Sequence, residues 1–315
     1  MCEPGRVPAA PPPPAPDAVR IITWNLFHCR DGHPGARASR ASTWRRRPVA
    51  HDGHVHLNRK HHGPMADLLR VSGADLCLLQ EVPPLLLPAL ARRAGMAVAW
   101  RTDTAPLVGP MWLRGRLGTL NPDLFRTHEG NANAILAGGR LRPVRGSGRA
   151  VRLNPWPVVL RHWRSGELDR GGALLWMSEA RRALAARVLT PAGTPVTVVS
   201  VHLHNARFPT ESLAEARALS RALERVDGAL VVGGDMNVPP GHPALEPLLA
   251  LGLEDPSRDP RMGIDRILVR GLRVTRPARR WQPEERTVTV RGPGGILRVR
   301  LSDHDPVDLE VTDSG

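Results

Sequence analysis

The segment LVVGGDMNVPP, residues 230–240, decides how the whole chain is interpreted. Its apolar residues lead into two glycines, and Asp235 and Asn237 follow two positions apart. Pro239 and Pro240 then prevent a helix from starting directly. This pattern predicts a buried strand that ends in an acid and an amide. If the segment stays extended, both side chains point to the same side; the alternative is an Asx turn before the prolines.

Length and composition restrict the class of protein. The chain has 315 residues and 41% hydrophobic content; the length alone favours about two domains. It has no apolar run of ~18 residues that would span a membrane. Residues 1–18 are rich in proline and lack the apolar core of a secretion signal, so we expect a disordered leader before residues 19–315. The cysteines Cys2, Cys29 and Cys77 lack metal-type spacing, which favours a reducing, cytoplasmic setting.

The formal charge of +14 is a reason to consider nucleic acid as a partner. Clustered cations neutralise phosphates and release counterions. Lys60 is the single lysine, however, and tyrosine is absent, so the excess of arginine also fits a compositional bias of the source genome. Charge alone therefore raises the expectation of nucleic-acid binding only modestly.

Periodicity predicts an alternation of strands and helices. Helical spacing is found in residues 65–75 and, most clearly, in residues 212–226. Apolar, β-rich segments predict strands at 20–27, 76–82, 131–138, 180–190, 195–205, 229–237, 263–271 and 298–311, the last with a polar interruption.

Polar side chains lie at or just beyond the ends of these strands. In packed α/β architectures such ends form the ligand crevice. A site built from both ends of the chain favours one domain, residues 19–315, over two. The residues concerned are Asn25, Glu81, Asn133, His202, Asp235, Asn237, Asp265, Asp303 and His304.

The ordered motifs TWN, LLQE, NAIL, VHL, GDMN, IDRILV and SDHDP resemble the endonuclease/exonuclease/phosphatase superfamily, which includes exonuclease III, pancreatic-type DNase and inositol polyphosphate 5-phosphatases. The resemblance extends from residue 20 to residue 310. The stretch NLFHCRDGHP is also similar to an actinobacterial-type subgroup. The resemblance implies an α/β fold of four layers, with two mostly antiparallel β-sheets packed face to face and helices outside. It also implies Mg2+-dependent cleavage of phosphoester bonds.

Glu81 is the strongest candidate for a metal ligand, because an acid at the end of a buried strand is costly unless something compensates it. Mg2+ needs only one or two carboxylates and a carboxamide besides water, and Asn25 and Asp303 are the expected companions. Mn2+ is expected to substitute for Mg2+. The alternative is that Glu81 is an exposed loop residue.

The remaining polar residues suggest the catalytic groups. Asp235 can orient or deprotonate the attacking water, and Asn237 can donate to a non-bridging oxygen. Asp265 suggests an acid that orients His304. The family offers two accounts, with His304 as the base or as a cation on the phosphate while Asp235 is the base. His202 matches the family's Thr-His-Leu position, with Val201 in place of the threonine, and would stabilise the oxyanion.

Substrate contacts are predicted from a further asparagine and two arginines. Asn133, Arg181 and Arg182 are assigned to substrate binding, one of the arginines to a phosphate; solvated charge is the alternative for the arginines. The histidine-rich residues 51–63 suggest either a loop at the substrate entrance or a second metal site, for which the ligand spacing is poor.

Three functions are compatible with these residues. The first is a phosphodiesterase or nuclease acting on DNA or RNA, favoured by the charge and by Trp112, Trp156 and Trp163 as stacking surfaces. The second is a phosphatase of a small phosphorylated sugar, lipid headgroup or nucleotide. The third, a binding protein without activity, is disfavoured because every motif retains its polar residue. The lack of tyrosine disfavours abasic-site cleavage, and we expect a monomer.

Overall fold

The computed structural model describes residues 12, 14–32, 49–51, 53–103, 131–178, 180–204, 209–257, 262–292 and 295–314. Cys2, Trp112 and most of the proposed leader lie outside these residues. Within the described part of the chain, no helix combines the length and the apolar character needed to cross a membrane.

The first large sheet contains the two ends of the chain. Its strand order is β13-β16-β1-β4-β6-β5, and every neighbouring pair is antiparallel except β1 and β4. The strands are β1 (Val19–Asn25), β4 (Leu76–Val82), β5 (Ala97–Asp103), β6 (Ala132–Ala137), β13 (Leu272–Arg280) and β16 (Val307–Asp313).

The second large sheet is built from the middle of the chain. Its order is β12-β11-β10-β9-β7, with β8 also paired to β9, and only β10 and β11 are parallel. The strands are β7 (Arg142–Pro143), β8 (Arg149–Arg152), β9 (Arg182–Leu189), β10 (Pro195–His202), β11 (Ala229–Asp235) and β12 (Asp265–Arg270).

Two small hairpins, six α-helices and three short 3-10 helices, at Phe27–Cys29, Pro243–Leu245 and Pro283–Arg286, complete the described structure. The hairpins pair β2 (Val49–His51) with β3 (His54–His56) and β14 (Thr287–Gly292) with β15 (Gly295–Arg300). The helices are α1 (His62–Val71), α2 (Leu87–Ala94), α3 (Trp156–Arg164), α4 (Arg170–Ser178), α5 (Pro209–Leu223) and α6 (Glu246–Leu249).

Alternation along the strands divides the apolar residues into layers. Ile21 of β1 and Val198 of β10 belong to one cluster that lies between the two sheets. Ile22 faces the other way and packs with Leu69 of α1, and Val199 packs with Leu219 of α5. Because both faces of these strands are covered, their sequences read as nearly continuous apolar runs. The predicted four-layered α/β sandwich with two mostly antiparallel sheets is confirmed.

Most predicted elements match the structure, but the prediction for residues 298–311 is wrong. That segment contributes two strands, because β15 ends at Arg300 and β16 begins at Val307. The polar interruption is a loop in which Ser302 has a left-handed backbone, with φ of 58°. Since β15 pairs with β14 and β16 lies in the first sheet, the two strands belong to separate sheets.

The glycine pair of the opening segment is needed for close packing of the strands. A Cβ on Gly234 would lie 1.8 Å from the carbonyl oxygen of Val201 on β10, and one on Gly233 would lie 2.6 Å from Leu78. Neither position leaves room for a side chain. The two glycines therefore let β11 approach its neighbours closely just before Asp235.

Candidate active site

The site lies where the two parallel strand pairs end. Asn25, at the end of β1, is paired with Gln80, the residue before Glu81. His202, at the end of β10, is paired with Asp235. Strand β12 runs antiparallel to β11, so its first residue, Asp265, also lies beside Asp235. The order of the strands thus gathers polar residues that are distant in the sequence.

Asp235 is the centre of the site. Its Oδ2 accepts a hydrogen bond of 3.1 Å from Asn25 Nδ2. The same oxygen lies 3.4 Å from His202 Nε2 and 3.6 Å from His304 Nε2. Burial raises the pKa of Asp235 to about 7, although the charge of His304 acts in the opposite direction. A carboxyl with this pKa can exchange a proton near neutral pH.

Asn237 does not lie on an extended segment, so that part of our prediction is wrong. Its backbone is left-handed, with φ of 52°. Its N–H donates to Asp235 Oδ1 over 2.9 Å, which is an Asx turn. Its side chain donates to the Leu203 carbonyl over 2.8 Å. Asparagine tolerates this backbone conformation. The turn uses one oxygen of Asp235 and leaves the other for the site.

Asp265 and His304 form a close pair. The distance between Asp265 Oδ2 and His304 Nδ1 is 2.8 Å. Burial alone would lower the pKa of His304, but the carboxylates of Asp265 and Asp235 outweigh it and raise that pKa to about 11. The backbone on either side is fixed by Ser302 Oγ, which accepts from the His304 N–H, and by Trp24 Nε1, which donates to its carbonyl. The imidazole is therefore held in place and positively charged.

Glu81 reaches the site through an irregularity in its strand. The register between β4 and β6 shifts between Leu79 and Val82, and Glu81 has a left-handed backbone with φ of 51°. Such a bulge re-aims a side chain. Asn25 Nδ2 donates to Glu81 Oε1 over 3.2 Å. Burial opposes ionisation of Glu81, but the imidazoles around it, His28 foremost, lower its pKa to about 2.

Two sets of donors could hold a divalent cation. One is the ionised, partly buried Glu81 with Asn25, whose Oδ1 accepts one bond from the Phe27 N–H and keeps a second lone pair. The other is Asp235, Asp265 and His304, whose ligand atoms lie within 4.8 Å of one another. In the second set the carboxylates outweigh burial and raise the pKa of His304 to about 11, so a cation there would have to displace a proton from the imidazole. The donor chemistry thus fits a cation at Glu81.

Two other predicted site residues, Asp303 and Asn133, have no direct contact with Asp235 among those described above. Asp303 is exposed and directly precedes His304. Asn133 is fully buried, and its Nδ2 donates to the Arg182 carbonyl over 2.8 Å. Its Oδ1 is buried without a hydrogen-bond partner among the described residues. Asn133 therefore connects the first sheet to the strand that begins at Arg182.

The two candidate arginines lie at the start of β9, Arg181 directly before the strand and Arg182 at its first residue. Arg181 is buried. Burial and the charge of Glu215 raise the pKa of Glu211 on α5 to about 7, and the charge of Arg181 partly offsets this increase. Arg182 shares the face of Leu184, which packs between the sheets. Arg182 is paired in register with Arg152, and burial followed by the charge of Arg182 lowers the pKa of Arg152. Arg181 therefore lies near Glu211 of α5, whereas Arg182 lies on the face of β9 that is directed between the sheets.

The histidine-rich segment is organised by an aspartate that the sequence did not single out. Asp31 is fully buried and lies 2.7 Å from His56 Nδ1 and 3.2 Å from His61 Nε2. Its oxygens also accept from three successive backbone N–H groups, those of residues 57–59. Where this segment is described, it contributes no residue to a group of three metal-ligating side chains.

A second residue missed in the sequence is His28. Its side chain is buried, and its Nε2 lies 3.4 Å from Glu81 Oε2. His28 follows Asn25 by three positions and lies in a turn of left-handed residues. Such a turn has no periodic sequence pattern, so the sequence carries no signal for the direction of this side chain.

Comparison with known proteins gives a match to the sequence and several matches to the fold. A profile of the Endonuclease/Exonuclease/phosphatase family matches residues 22–304, whereas no curated protein sequence gives a match. An Endonuclease/Exonuclease/phosphatase family protein of Bacteroides thetaiotaomicron has a similar structure, with a TM-score of 0.61, 14% identity and coverage of 95% of this chain and 98% of that one.

Two further solved structures share the fold. A mannosyl-6-phosphatase of Bacteroides thetaiotaomicron gives a TM-score of 0.58 at 14% identity, covering 93% of this chain and 99% of its own. The human nocturnin catalytic domain with a bound sulfate gives a TM-score of 0.55 at 14% identity, and the match covers 95% of this chain and 94% of that one. From the profile match over residues 22–304, the chain belongs to the Endonuclease/Exonuclease/phosphatase family and is a hydrolase of phosphoric esters.

Proposed function

We propose that this protein is a Mg2+-dependent phosphodiesterase of the nuclease type that acts on DNA or RNA. The observation that carries the proposal is the position of Asp235. Its Oδ2 accepts from Asn25 and lies within 3.6 Å of the Nε2 atoms of His202 and His304, and the ionised Glu81 lies beside them. One phosphate group and one attacking water fit such a cluster of donors and acceptors.

The side chains have distinct roles in this proposal. A divalent ion held by Glu81, with Asn25 and Asp303, would neutralise charge on the phosphate and on the leaving oxygen. Asp235 orients the water and accepts its proton. In this proposal His304 is not that base, because the carboxylates of Asp265 and Asp235 favour its positive form; it donates through Nε2 to a phosphate oxygen.

The remaining predicted residues assist these groups. His202 donates to the oxygen on which charge develops. Asn237 fixes the carboxylate of Asp235 through the Asx turn. Arg182 is better placed than Arg181 to meet a substrate phosphate, because it shares the face of the residues between the sheets.

The preference for a nucleic-acid diester rests on the surface of the molecule. The formal charge is +14, and the indoles of Trp156 and Trp163 on α3 are 65% and 45% exposed. Exposed aromatic rings among arginines can stack with bases while the cations meet phosphates. A phosphatase of a small phosphorylated molecule would use the same catalytic residues and is the alternative.

Hydrolysis assays with Mg2+ test the proposal. The substrates are plasmid DNA, RNA, bis-p-nitrophenyl phosphate and a panel of phosphomonoesters. We expect cleavage of the diesters, loss of activity in chelator and recovery with Mg2+ or Mn2+. The variant Asp235→Asn removes the proposed base and should lose activity. Asp227→Asn makes the same change at an exposed position and is the matched control. Full activity in chelator would refute metal dependence, and cleavage of monoesters alone would establish the phosphatase alternative.

A further inference from the structure

His28 is buried beside Glu81 without a role in the chemistry described so far. Its side chain is turned inward, with 4% of the residue exposed, and its Nε2 lies 3.4 Å from Glu81 Oε2. Its Nδ1 is buried and has no hydrogen-bond partner in the described part of the chain. Leaving a buried polar atom unpaired costs about 1–3 kcal/mol. The contact with Glu81 therefore offsets only part of the cost of burying this imidazole.

The backbone that carries His28 is strained and firmly anchored. Phe27, His28 and Cys29 are all left-handed, with φ of 45°, 53° and 59°. Such residues store about 1–3 kcal/mol each and persist only where their surroundings hold them. Asn25 Oδ1 accepts from the Phe27 N–H over 3.0 Å, and the Cys29 carbonyl accepts from the His61 N–H over 2.7 Å. The asparagine that contacts Glu81 thus also holds the turn that directs His28 toward it.

We propose that His28 Nε2 and Glu81 Oε2 are ligands of the same metal ion, and that this imidazole shifts the preference of the site from Mg2+ toward a first-row transition ion such as Mn2+. The inference rests on the proposed metal site at Glu81. Mg2+ takes oxygen ligands almost exclusively. Imidazole nitrogen instead favours transition ions over Mg2+.

The separation of the two atoms fits joint ligation. Two ligands with bonds of about 2.1 Å, at octahedral or tetrahedral angles, lie roughly 3.0–3.4 Å apart. The distance between His28 Nε2 and Glu81 Oε2 is 3.4 Å. His202 Nε2 lies farther from Glu81, at 3.8 Å from Oε1, and closer to Asp235, at 3.4 Å. His28 is therefore the better second ligand.

A purely electrostatic role for His28 predicts a different result. If the imidazole only held Glu81 in place, its loss would weaken the binding of Mg2+ and Mn2+ by the same factor. Ligation by nitrogen predicts a selective loss of Mn2+. The ratio of the two dissociation constants therefore separates a metal ligand from a positioning residue.

The experiment uses the full chain loaded with Mn2+, without substrate. Electron spin-echo envelope modulation reports nitrogen bound to Mn2+, and titrations give the Kd of Mn2+ and, by competition, of Mg2+. The variant is His28→Asn, because asparagine tolerates a left-handed backbone and is too short to replace Nε2. The control is His62→Asn, at the first residue of α1. We expect nitrogen coupling in the wild type and the control.

In His28→Asn the coupling should vanish. The Kd of Mn2+ should rise at least ~30-fold, within the range for disturbed metal sites, while that of Mg2+ changes less than ~5-fold. Coupling that persists in the variant, or equal losses for both ions, would overturn the proposal. If the variant does not fold, the wild-type protein alone still tests the proposal, because a spectrum without nitrogen coupling would overturn it. Binding of neither ion would remove the metal site and the proposed function together, whereas Mn2+ bound without nitrogen overturns only the role of His28.

Discussion

Removing the partners of the Asp265–His304 pair one at a time, and then together, tests whether they act as a unit. Asp265→Asn keeps the size of the side chain and removes its charge. His304→Ala removes the imidazole. If Asp265 works by orienting His304 and keeping it positive, either change disables the same device. The double variant should then lose little more than His304→Ala alone.

The expected magnitude follows from the geometry of the pair. Asp265 Oδ2 lies 2.8 Å from His304 Nδ1, which places the centres of charge about 4 Å apart. At an effective dielectric constant of about 20, such charges interact by about 4 kcal/mol, or roughly a thousandfold in rate. Since the His304 side chain is 17% exposed, solvent weakens this interaction. We expect kcat/KM to fall ~100- to 1000-fold in each single variant and the double variant to lie within about threefold of His304→Ala.

The measurement is kcat/KM of the four forms across a Mg2+ titration. The competing possibility is that Asp265 is a metal ligand, with a ligand atom within 4.8 Å of one from Asp235, and that His304 contacts the substrate phosphate independently of it. In that case the losses of the two single variants would multiply. Only Asp265→Asn would then require more Mg2+. That combination would refute the pairing of Asp265 with His304.

Three further outcomes are expected. Asp235→Asn should lower kcat at least ~100-fold, the low end for a general base, with an unchanged Tm; turnover near the wild-type value would reduce Asp235 to a turn residue. Gly234→Ala should lower the Tm by several degrees because its Cβ meets the Val201 carbonyl, whereas Gly139→Ala, with open space around its Cβ, should not; equal Tm values would contradict the packing argument. Burial raises the pKa of Asp31, but hydrogen bonds from its two histidines outweigh this and hold that pKa well below its usual value, so its carboxylate stabilises the fold above about pH 4 and loses this contribution as the pH falls further. The wild-type Tm should therefore drop more steeply between about pH 5 and pH 3 than that of Asp31→Asn, and parallel curves would argue against this role.

Part of the proposed leader, residues 1–18, contacts the folded domain. Arg140 donates to the carbonyls of Ala15, Pro16 and Ala18, so the last of these residues lie against the first sheet. That the leader is dispensable stays a prediction, which truncations before and after Ala15 would test by their Tm.

The sequence by itself determined the strands that carry the site, β1, β4, β10, β11 and β12, and the polar residues at their ends. Strand β4 has the predicted bounds, Leu76–Val82, and β1 ends at Asn25, two residues before the end of the predicted segment 20–27. Burial on both faces produces uninterrupted apolar runs, and an acid directly after such a run is too costly to be accidental. These are local signals, so they can be read without knowing which strands are neighbours.

Only the tertiary structure decided how those residues meet. Asn25 and Asp235 are 210 positions apart in the chain, yet Asn25 bridges Asp235 to Glu81. The left-handed residues of the site, Glu81 and Asn237 among them, have no periodic signature, because the conformation is imposed by contacts across the sandwich. The same is true of His28, whose place beside Glu81 depends on a turn that Asn25 holds. Local pattern specifies which segments are strands, whereas the direction of a side chain in a bulge or turn depends on partners that the local sequence does not contain.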